Sequence, residues 1–177
     1  MHKKTSYMFT FISTYKKEDF LRFDKNVHII FRNYQKYYNK NEILKVKKIC
    51  KKQNRKLYLA NDTKLAINLK LDGVYIPAFN KNFYKNKYSF RKNFLILGSA
   101  HNIIEMKKKE KQGVEILFLS PIFKTKHYRK GLGVCRFNII SNLSVKKIIA
   151  LGGISKKNFN KLNITNAYGF SGISYFK

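Results

Sequence analysis

Short apolar runs alternate along the chain with longer segments of mixed polarity, and each run has the length of a single β-strand. Two of the runs, VEILFL and IIAL, are continuously apolar, as expected of parallel strands buried on both faces. The pattern predicts eight strands, at residues 7–12, 27–31, 57–60, 73–76, 94–97, 114–119, 148–151 and 168–173.

Helix-length segments lie between most of these predicted strands. Segment 41–53 places four apolar residues on one helical face. Asn102 and Glu105 form a capping-box pattern at the start of a second helix, which extends to residue 112. Ser155 is a candidate N-cap for a short helix over residues 155–162.

The alternation of strands and helices predicts one domain, residues 1–177, with the α/β fold of a parallel (β/α)8 TIM barrel. We expect a reduced barrel, because only residues 13–26 separate the first two strands and no final helix follows the eighth. A missing helix would leave apolar barrel surface uncovered. A homodimer is therefore expected to cover it, with a monomer as the alternative.

Composition supports a folded core and adds a strong positive field. Of the 177 residues, 44% are hydrophobic, and 38 Lys and Arg stand against 9 Asp and Glu. The basic residues occur in every segment instead of one stripe, which argues against a nucleic-acid-binding groove. A positive surface would still concentrate phosphorylated substrates near the protein.

Other classes of protein receive little support from the sequence. The apolar run at 7–12 is too short to span a membrane and lacks a small-residue cleavage site, so we expect the first strand of a cytoplasmic protein. Cys50 and Cys135 are isolated thiols, which argues against a disulfide or a zinc site. The four histidines are also scattered: His2, His28, His101 and His127.

Glycines follow the last two predicted strands. Gly152 and Gly153 come directly after the seventh strand, and Gly172 with Ser174 stands at the end of the eighth. In TIM barrels the loops after these strands commonly bind a phosphate through backbone N–H groups. Tight turns alone could also require the glycines, but their joint occurrence at both loops favours a phosphate site.

Several ordered motifs resemble the thiamine phosphate synthase / thiazole tautomerase family. They are GVEILFLSPIFKTKHYRKGLG, IIALGGISKKNF, AYGFSGIS, LYLANDTKLAINLKLDGVYIPAFN and LGSAHNIIEM, which together span residues 56–174, with a weaker match at HIIFRN. The resemblance implies a Mg²⁺-dependent transferase that uses phosphorylated pyrimidine and thiazole substrates. That enzyme joins hydroxymethylpyrimidine diphosphate to thiazole phosphate, releases pyrophosphate and needs no protein nucleophile.

The resemblance also implies roles for individual residues. Asn61 would touch the diphosphate, Asp62 would bind Mg²⁺, and Arg32 matches a family arginine in the second strand. Ser99 would contact the pyrimidine, and Thr125 would contact the thiazole phosphate. The phosphate-binding glycines Gly152, Gly153 and Gly172 and the hydroxyl of Ser174 complete the expected set.

The chain departs from the family pattern at Ile30, Tyr34 and Asn80, where a glutamine, a lysine and a second Mg²⁺-binding aspartate are expected. The loop lysine is also displaced, although cations lie close to its expected position: Lys126, Arg129 and Lys130. The phosphate-binding residues therefore match the family pattern better than the metal site does.

Three of the candidate residues have structural alternatives. Asp62 could be a helix N-cap, and His127 could face solvent instead of a phosphate. Ser99 and His101 could be a nucleophile and its base, although the spacing also suits a helix cap.

Three functions compete at this stage. The first is an active thiamine phosphate synthase. The second is a family relative that acts as a thiazole tautomerase or binds a phosphate ligand; Pro121 stands where the tautomerase branch has histidine, which weakens the tautomerase variant. The third is a basic RNA-binding barrel.

Overall fold

A computed structural model describes residues 7–34, 38–83 and 88–176. Eight parallel strands pair in chain order and close into a barrel, because the first strand pairs with both the second and the eighth. This confirms the predicted (β/α)8 architecture. The strands are β1 (Tyr7–Ile12), β2 (Val27–Phe31), β3 (Leu57–Ala60), β4 (Gly73–Ile76), β5 (Leu95–Ala100), β6 (Ile116–Leu119), β7 (Lys147–Leu151) and β8 (Gly169–Ser171).

Each strand buries both of its faces. Alternate residues point into the barrel and form one apolar cluster, whose members include Phe9, Phe11, Tyr58, Tyr75 and Phe118. The remaining strand residues point outward and pack against the helices in a second, larger cluster. The period-two alternation of a β-strand thus assigns every side chain to one of two cores.

Five α-helices and one 3₁₀ helix cover the described barrel. They are α1 (Lys17–Arg22), α2 (Lys40–Lys52), α3 (Thr63–Asn68), α4 (Ile103–Lys111), α5 (Gly133–Asn142) and a 3₁₀ helix at Phe159–Ile164. Asn39 caps the start of α2 by accepting hydrogen bonds from its first turn, and Asn102 caps α4 by accepting one from the Glu105 N–H. Both helices were predicted to within about one residue.

Two predicted details are wrong. The element after β7 begins at Phe159, and the Ser155 N–H donates to Asn158 Oδ1 over 2.9 Å, so Ser155 is not its N-cap. Strand β5 continues to Ala100, where the sequence pattern ended it at residue 97. The continuation depends on small residues: a Cβ atom at Gly98 would lie 2.7 Å from Val114 Cγ2.

The expected reductions of the barrel are present in the described chain. The segment between β1 and β2 contains only the six-residue α1. Residues 172–176 after β8 contain no helix. Residues 77–83 and 88–94, between β4 and β5, also contain none, which the sequence pattern did not predict. Within the described residues, no helix combines the length and the apolar character that a membrane span requires.

Candidate active site

The carboxyl ends of all eight strands face one rim, because the barrel is parallel throughout. Barrel enzymes place their active sites at this rim. The sequence-predicted site residues follow, or lie at the end of, strands β2, β3, β5, β6, β7 and β8: Arg32, Asn61, Asp62, Ser99, Thr125, His127, Lys130, Gly152, Gly153, Gly172 and Ser174.

Arg32, directly after β2, is a half-buried cation without an anionic partner. Its Cζ atom lies 4.6 Å from the ring centroid of Phe11 and 5.8 Å from that of Tyr34. Within residues 7–34, 38–83 and 88–176, the guanidinium forms no ion pair and donates no hydrogen bond. Because a guanidinium has five N–H donors in one plane, Arg32 is equipped to bind a phosphate at this rim.

Asn61 and Asp62 form a corner after β3. Asn61 adopts a positive φ of 63°, and Asp62 Oδ1 accepts a hydrogen bond from the Leu65 N–H over 2.9 Å. Asp62 is therefore the N-cap of α3, as the structural alternative proposed. This cap uses a single carboxylate oxygen, so the same side chain still has a second oxygen to offer to a cation.

Asn80 bonds to this corner from the segment after β4. Its Nδ2 atom donates to Asn61 Oδ1 over 2.6 Å, and its own Oδ1 accepts from the Asn82 N–H over 2.9 Å. The residue that replaces the expected second aspartate thus fixes the Asn61 amide. With its oxygen engaged, Asn61 presents its NH₂ group as a donor, which suits a phosphate oxygen.

Two tyrosines near this side of the rim, Tyr75 and Tyr38, interact electrostatically with Arg32. Burial raises the pKa of Tyr75 to about 12, whereas a hydrogen bond with the Ser99 side chain and the charge of Arg32 act in the opposite direction. Burial likewise raises the pKa of Tyr38 to about 12; a hydrogen bond from the Asn33 backbone opposes the rise, and the charge of nearby Asp62 adds to it. Arg32 thus acts on both phenols, and the raised pKa values keep both of them neutral at ordinary pH.

Ser99 and His101 form no hydrogen bond with each other in the described chain, so the structure gives no support to a nucleophile and its base here. Ser99 is 5% exposed, and His101 Nδ1 lies 2.9 Å from Glu105 Oε2. The His101 ring also stacks on Tyr128, with 5.9 Å between centroids. Ser99 is consequently a hydrogen-bonding group inside the barrel mouth, and His101 links α4 to the loop after β6.

The loop after β6 continues the pairing of β6 with β7 beyond the barrel. Its backbone donates from Ile122 N–H to Leu151 O over 2.9 Å and from Phe123 N–H to Gly152 O over 3.1 Å. Thr125 Oγ1 accepts from the Tyr128 N–H over 3.1 Å, and its hydroxyl proton can still be donated to a ligand. His127 and Lys130 of the same loop are exposed.

The turn after β7 requires glycine at positions 152 and 153, whether or not a phosphate binds there. Their φ values are +96° and +71°, and a Cβ atom at Gly152 would lie 2.7 Å from Pro121 Cβ. At Gly153 it would overlap the carbonyl oxygen of Lys124. Within the described part of the chain, the N–H groups of Gly153 and Ile154 donate no hydrogen bond. The turn and its close packing therefore explain the glycines, and the same turn leaves two backbone N–H groups available to a ligand.

The two predicted positions after β8 differ in their availability. The Gly172 N–H donates to Phe9 O over 3.3 Å, so the barrel already uses this donor, whereas Ser174 is exposed at the rim. A cavity of about 250 Å³ opens nearby, beside Arg32. Its lining includes Ser13, Thr14, Lys16 and Ile173, and Arg32 is the only predicted site residue that lines it. The other predicted site residues lie at the same rim of the barrel but outside this cavity.

The described residues fit a Mg²⁺ ion only if a substrate supplies other ligands. No group of three or more His, Cys, Asp or Glu side chains that could hold a metal occurs in the described chain. Asp62 offers one carboxylate, and Mg²⁺ commonly binds to one or two carboxylates together with substrate phosphates and water. Cys50 is buried, Cys135 is exposed, and both are free thiols.

Sequence reasoning missed the tyrosines that organise the site. Tyr75 occupies an inward position of β4, and Tyr38 lies just before α2, where its hydroxyl donates to Ala60 O over 2.5 Å. Strand alternation could have identified Tyr75 as inward-facing. No local pattern indicates that Tyr38 would reach the end of β3, 22 residues further along the chain.

Comparison with known proteins identifies similar sequences. The family model described as thiamine monophosphate synthase matches residues 25–176. A thiamine-phosphate synthase of Pelagibacter ubique is 31% identical over 128 residues, which are 70% of this chain and 60% of that protein. A thiamine-phosphate synthase of Methanosarcina mazei is 30% identical over 122 residues, 67% of this chain and 50% of that protein. The chain thus spans between half and two thirds of these two relatives.

A solved structure shares the fold. The thiamine phosphate pyrophosphorylase from Pyrococcus furiosus superposes with a TM-score of 0.69 at 15% sequence identity, covering 96% of this chain and 86% of that one. At this identity the superposition supports the barrel architecture, and the assignment to a family depends on the sequence comparisons.

Proposed function

Because the chain belongs to the thiamine monophosphate synthase family, we propose that it joins hydroxymethylpyrimidine diphosphate to thiazole phosphate and releases pyrophosphate. The observation that carries this proposal is the half-buried guanidinium of Arg32, which has no acceptor within the described chain and lies at the barrel rim beside the tyrosines. The two aromatic rings offset part of the cost of desolvating this cation, but its N–H donors are satisfied only when an acceptor such as a phosphate binds.

The diphosphate would bind on the side of the rim formed by β2 and β3. Arg32 supplies positive charge and planar donors, and Asn61 supplies its amide NH₂ group. Asp62 would hold Mg²⁺ with its second oxygen, while phosphate oxygens and water complete the coordination. When bound, the Mg²⁺ ion would neutralise the charge that develops on the departing pyrophosphate.

The reaction breaks the bond between the pyrimidine methylene carbon and the diphosphate oxygen. The thiazole nitrogen then forms a new bond to that carbon. Ser99, oriented by Tyr75, would hydrogen-bond to the pyrimidine ring. Neutral phenols and buried apolar residues at the mouth would keep water away from the reacting carbon.

The thiazole phosphate would bind on the opposite side of the rim. Thr125 contributes a hydroxyl, Gly153 contributes a backbone N–H beside Gly152, and Ser174 is exposed nearby. His127 and Lys130 add polar and cationic groups from the β6 loop. In this arrangement Gly172 shapes the loop, and its N–H remains bonded to Phe9 O.

The test is incubation of the purified protein with both substrates and Mg²⁺, followed by chromatographic detection of thiamine phosphate. Product formation that requires both substrates and is abolished by EDTA is the expected result. Binding of either phosphorylated substrate without turnover would favour a family relative with another activity. The expectations of a cytoplasmic location, of a homodimer and of no nucleic-acid partner stay predictions.

A further inference from the structure

A buried cation lies beneath the diphosphate side of the rim. Lys109 of α4 is 1% exposed, and its Nζ atom donates to Asn80 O over 2.6 Å and to Gln112 Oε1 over 2.8 Å. Gln112 is also fully buried, and its Nε2 atom donates to Asn80 O over 3.1 Å and to Asn82 O over 2.6 Å. One side chain of α4 and that of its C-cap residue therefore hold the backbone of the segment after β4.

The geometry of these bonds defines the position of Asn80. Its carbonyl oxygen accepts from both Lys109 and Gln112, which uses the two lone pairs of that oxygen. Its side-chain oxygen accepts from the Asn82 N–H, so its NH₂ group is directed to Asn61. The orientation of the Asn61 amide thus depends on a chain of hydrogen bonds that starts at α4.

We propose that Lys109 and Gln112 are positioning residues for diphosphate binding, because they hold Asn80 where it orients the Asn61 NH₂ group towards the ligand. The inference rests on the proposed function, since it assigns the diphosphate to Asn61. Neither side chain reaches the rim itself. Both act through Asn80, the residue that stands where the family pattern has a metal-binding aspartate.

The burial of a lysine supports a specific role for these bonds. An ammonium group transferred from water to a protein interior loses solvation, and an apolar side chain of similar length would avoid this cost. Consistent with burial, the pKa of Lys109 falls from 10.5 to about 8. The segment between β4 and β5 contains no helix in its described parts, and these two side chains supply bonds to its backbone.

The test compares Lys109→Met and Gln112→Met with Lys111→Met, a matched control at an exposed position of α4. The probe is pyrophosphate with Mg²⁺, and its dissociation constant is measured by calorimetry well below the melting temperature of each variant. We expect both buried substitutions to weaken pyrophosphate binding by about 10- to 100-fold, the effect typical of groups that orient a binding residue. The control should bind like the wild type.

Two further measurements separate positioning from general stability. Binding of thiazole phosphate should stay unchanged in both variants, because its side of the rim does not contact Asn80. In a double-mutant cycle, Lys109→Met should cause little further loss of pyrophosphate binding in an Asn80→Ala background, since both changes act on one orientation. Two single variants that melt at lower temperature yet keep wild-type pyrophosphate affinity would overturn the inference.

Failure of the proposed function gives a different result. A wild-type protein that binds pyrophosphate but forms no thiamine phosphate contradicts the proposed reaction and leaves the comparison of variants intact. If the wild-type protein binds no pyrophosphate, Asn61 has no diphosphate to bind, and the proposed positioning role of Lys109 and Gln112 is wrong.

Discussion

Arg32 is the residue whose surroundings point most directly to an anionic ligand. Replacement by methionine should lower kcat/KM for the pyrimidine diphosphate by about 100-fold, because one charged donor to a phosphate is lost. The melting temperature should stay close to that of the wild type, since the guanidinium donates no hydrogen bond to the described chain. Steady-state kinetics and thermal melts measure the two effects.

Arg136→Met on the exposed surface of α5 is a suitable control for Arg32→Met, because it removes the same charge from a residue that has no assigned role in the site. Equal losses of kcat/KM in the two variants would assign the effect to net charge. An unchanged kcat/KM in Arg32→Met would remove Arg32 from the site.

Asp62 combines a structural role and a proposed metal-binding role, and two substitutions separate them. Asparagine is as good an N-cap as aspartate, so Asp62→Asn should preserve the melting temperature. It should nevertheless lower kcat by about two to three orders of magnitude and raise the Mg²⁺ concentration needed for half-maximal activity. Asp62→Ala should also lose the cap, at about 1 kcal/mol of stability.

Titration of Mg²⁺ against activity and thermal melts of both variants provide the measurements. If Asp62→Asn shows wild-type Mg²⁺ dependence and wild-type kcat, Asp62 is only a cap.

Among the elements, α4 makes a pH-dependent contribution to stability through Lys109. Burial lowers its pKa to about 8, opposed by the charge of Glu105 and reinforced by that of Lys108. Between pH 8 and the ordinary value of 10.5, the unfolded chain binds more protons than the folded one, so stability from this group rises with pH. Below pH 8 both states are protonated, and the cost of burying the charge is fully present.

The measurement compares wild type with Lys109→Met by urea unfolding at several pH values. The difference in unfolding free energy between the two proteins should shift in favour of the wild type as pH rises from about 8 to 10.5. Lys111→Met, which alters an exposed lysine of the same helix, is the control for the loss of a lysine from α4. A flat difference for Lys109→Met would show that its pKa is not lowered.

The strand pattern predicted most elements because each strand is short, apolar and bounded by polar segments. It failed where another interaction decided the outcome. In β5, Gly98 and Ser99 lack the apolar character of a strand, yet their small size permits continued pairing. Ser155 has the chemistry of an N-cap, but its N–H bonds to Asn158, and the helix starts later.

The candidate site was predictable to the extent that its residues follow strand ends in ordered motifs. Arg32, Asn61 and Asp62 were found in this way. The residues that orient Asn61 were not predicted, because Lys109 lies 29 residues further along the chain than Asn80, whose carbonyl it binds. Local sequence patterns contain no information about a hydrogen bond between elements that are distant in the chain.

At the scale of the whole molecule, the net charge of +29 should act on the capture of substrates. Two ion pairs between lysine and a carboxylate occur in the described chain, Lys56–Asp72 and Lys107–Glu110, so most of the cations there contribute to an uncompensated field. This field attracts phosphorylated substrates over a range set by the Debye length, about 10 Å at 0.1 M salt and 3 Å at 1 M.

We therefore expect kcat/KM for the pyrimidine diphosphate to fall by about tenfold between about 0.05 M and 0.5 M KCl, while kcat at saturating substrate changes little. The control is a matched series at constant Mg²⁺ activity, because chloride and potassium must not alter the supply of the metal. A decrease in kcat with unchanged kcat/KM would contradict electrostatic capture. Inhibition at low salt by added RNA, relieved at high salt, would show that the same field also recruits nucleic acid.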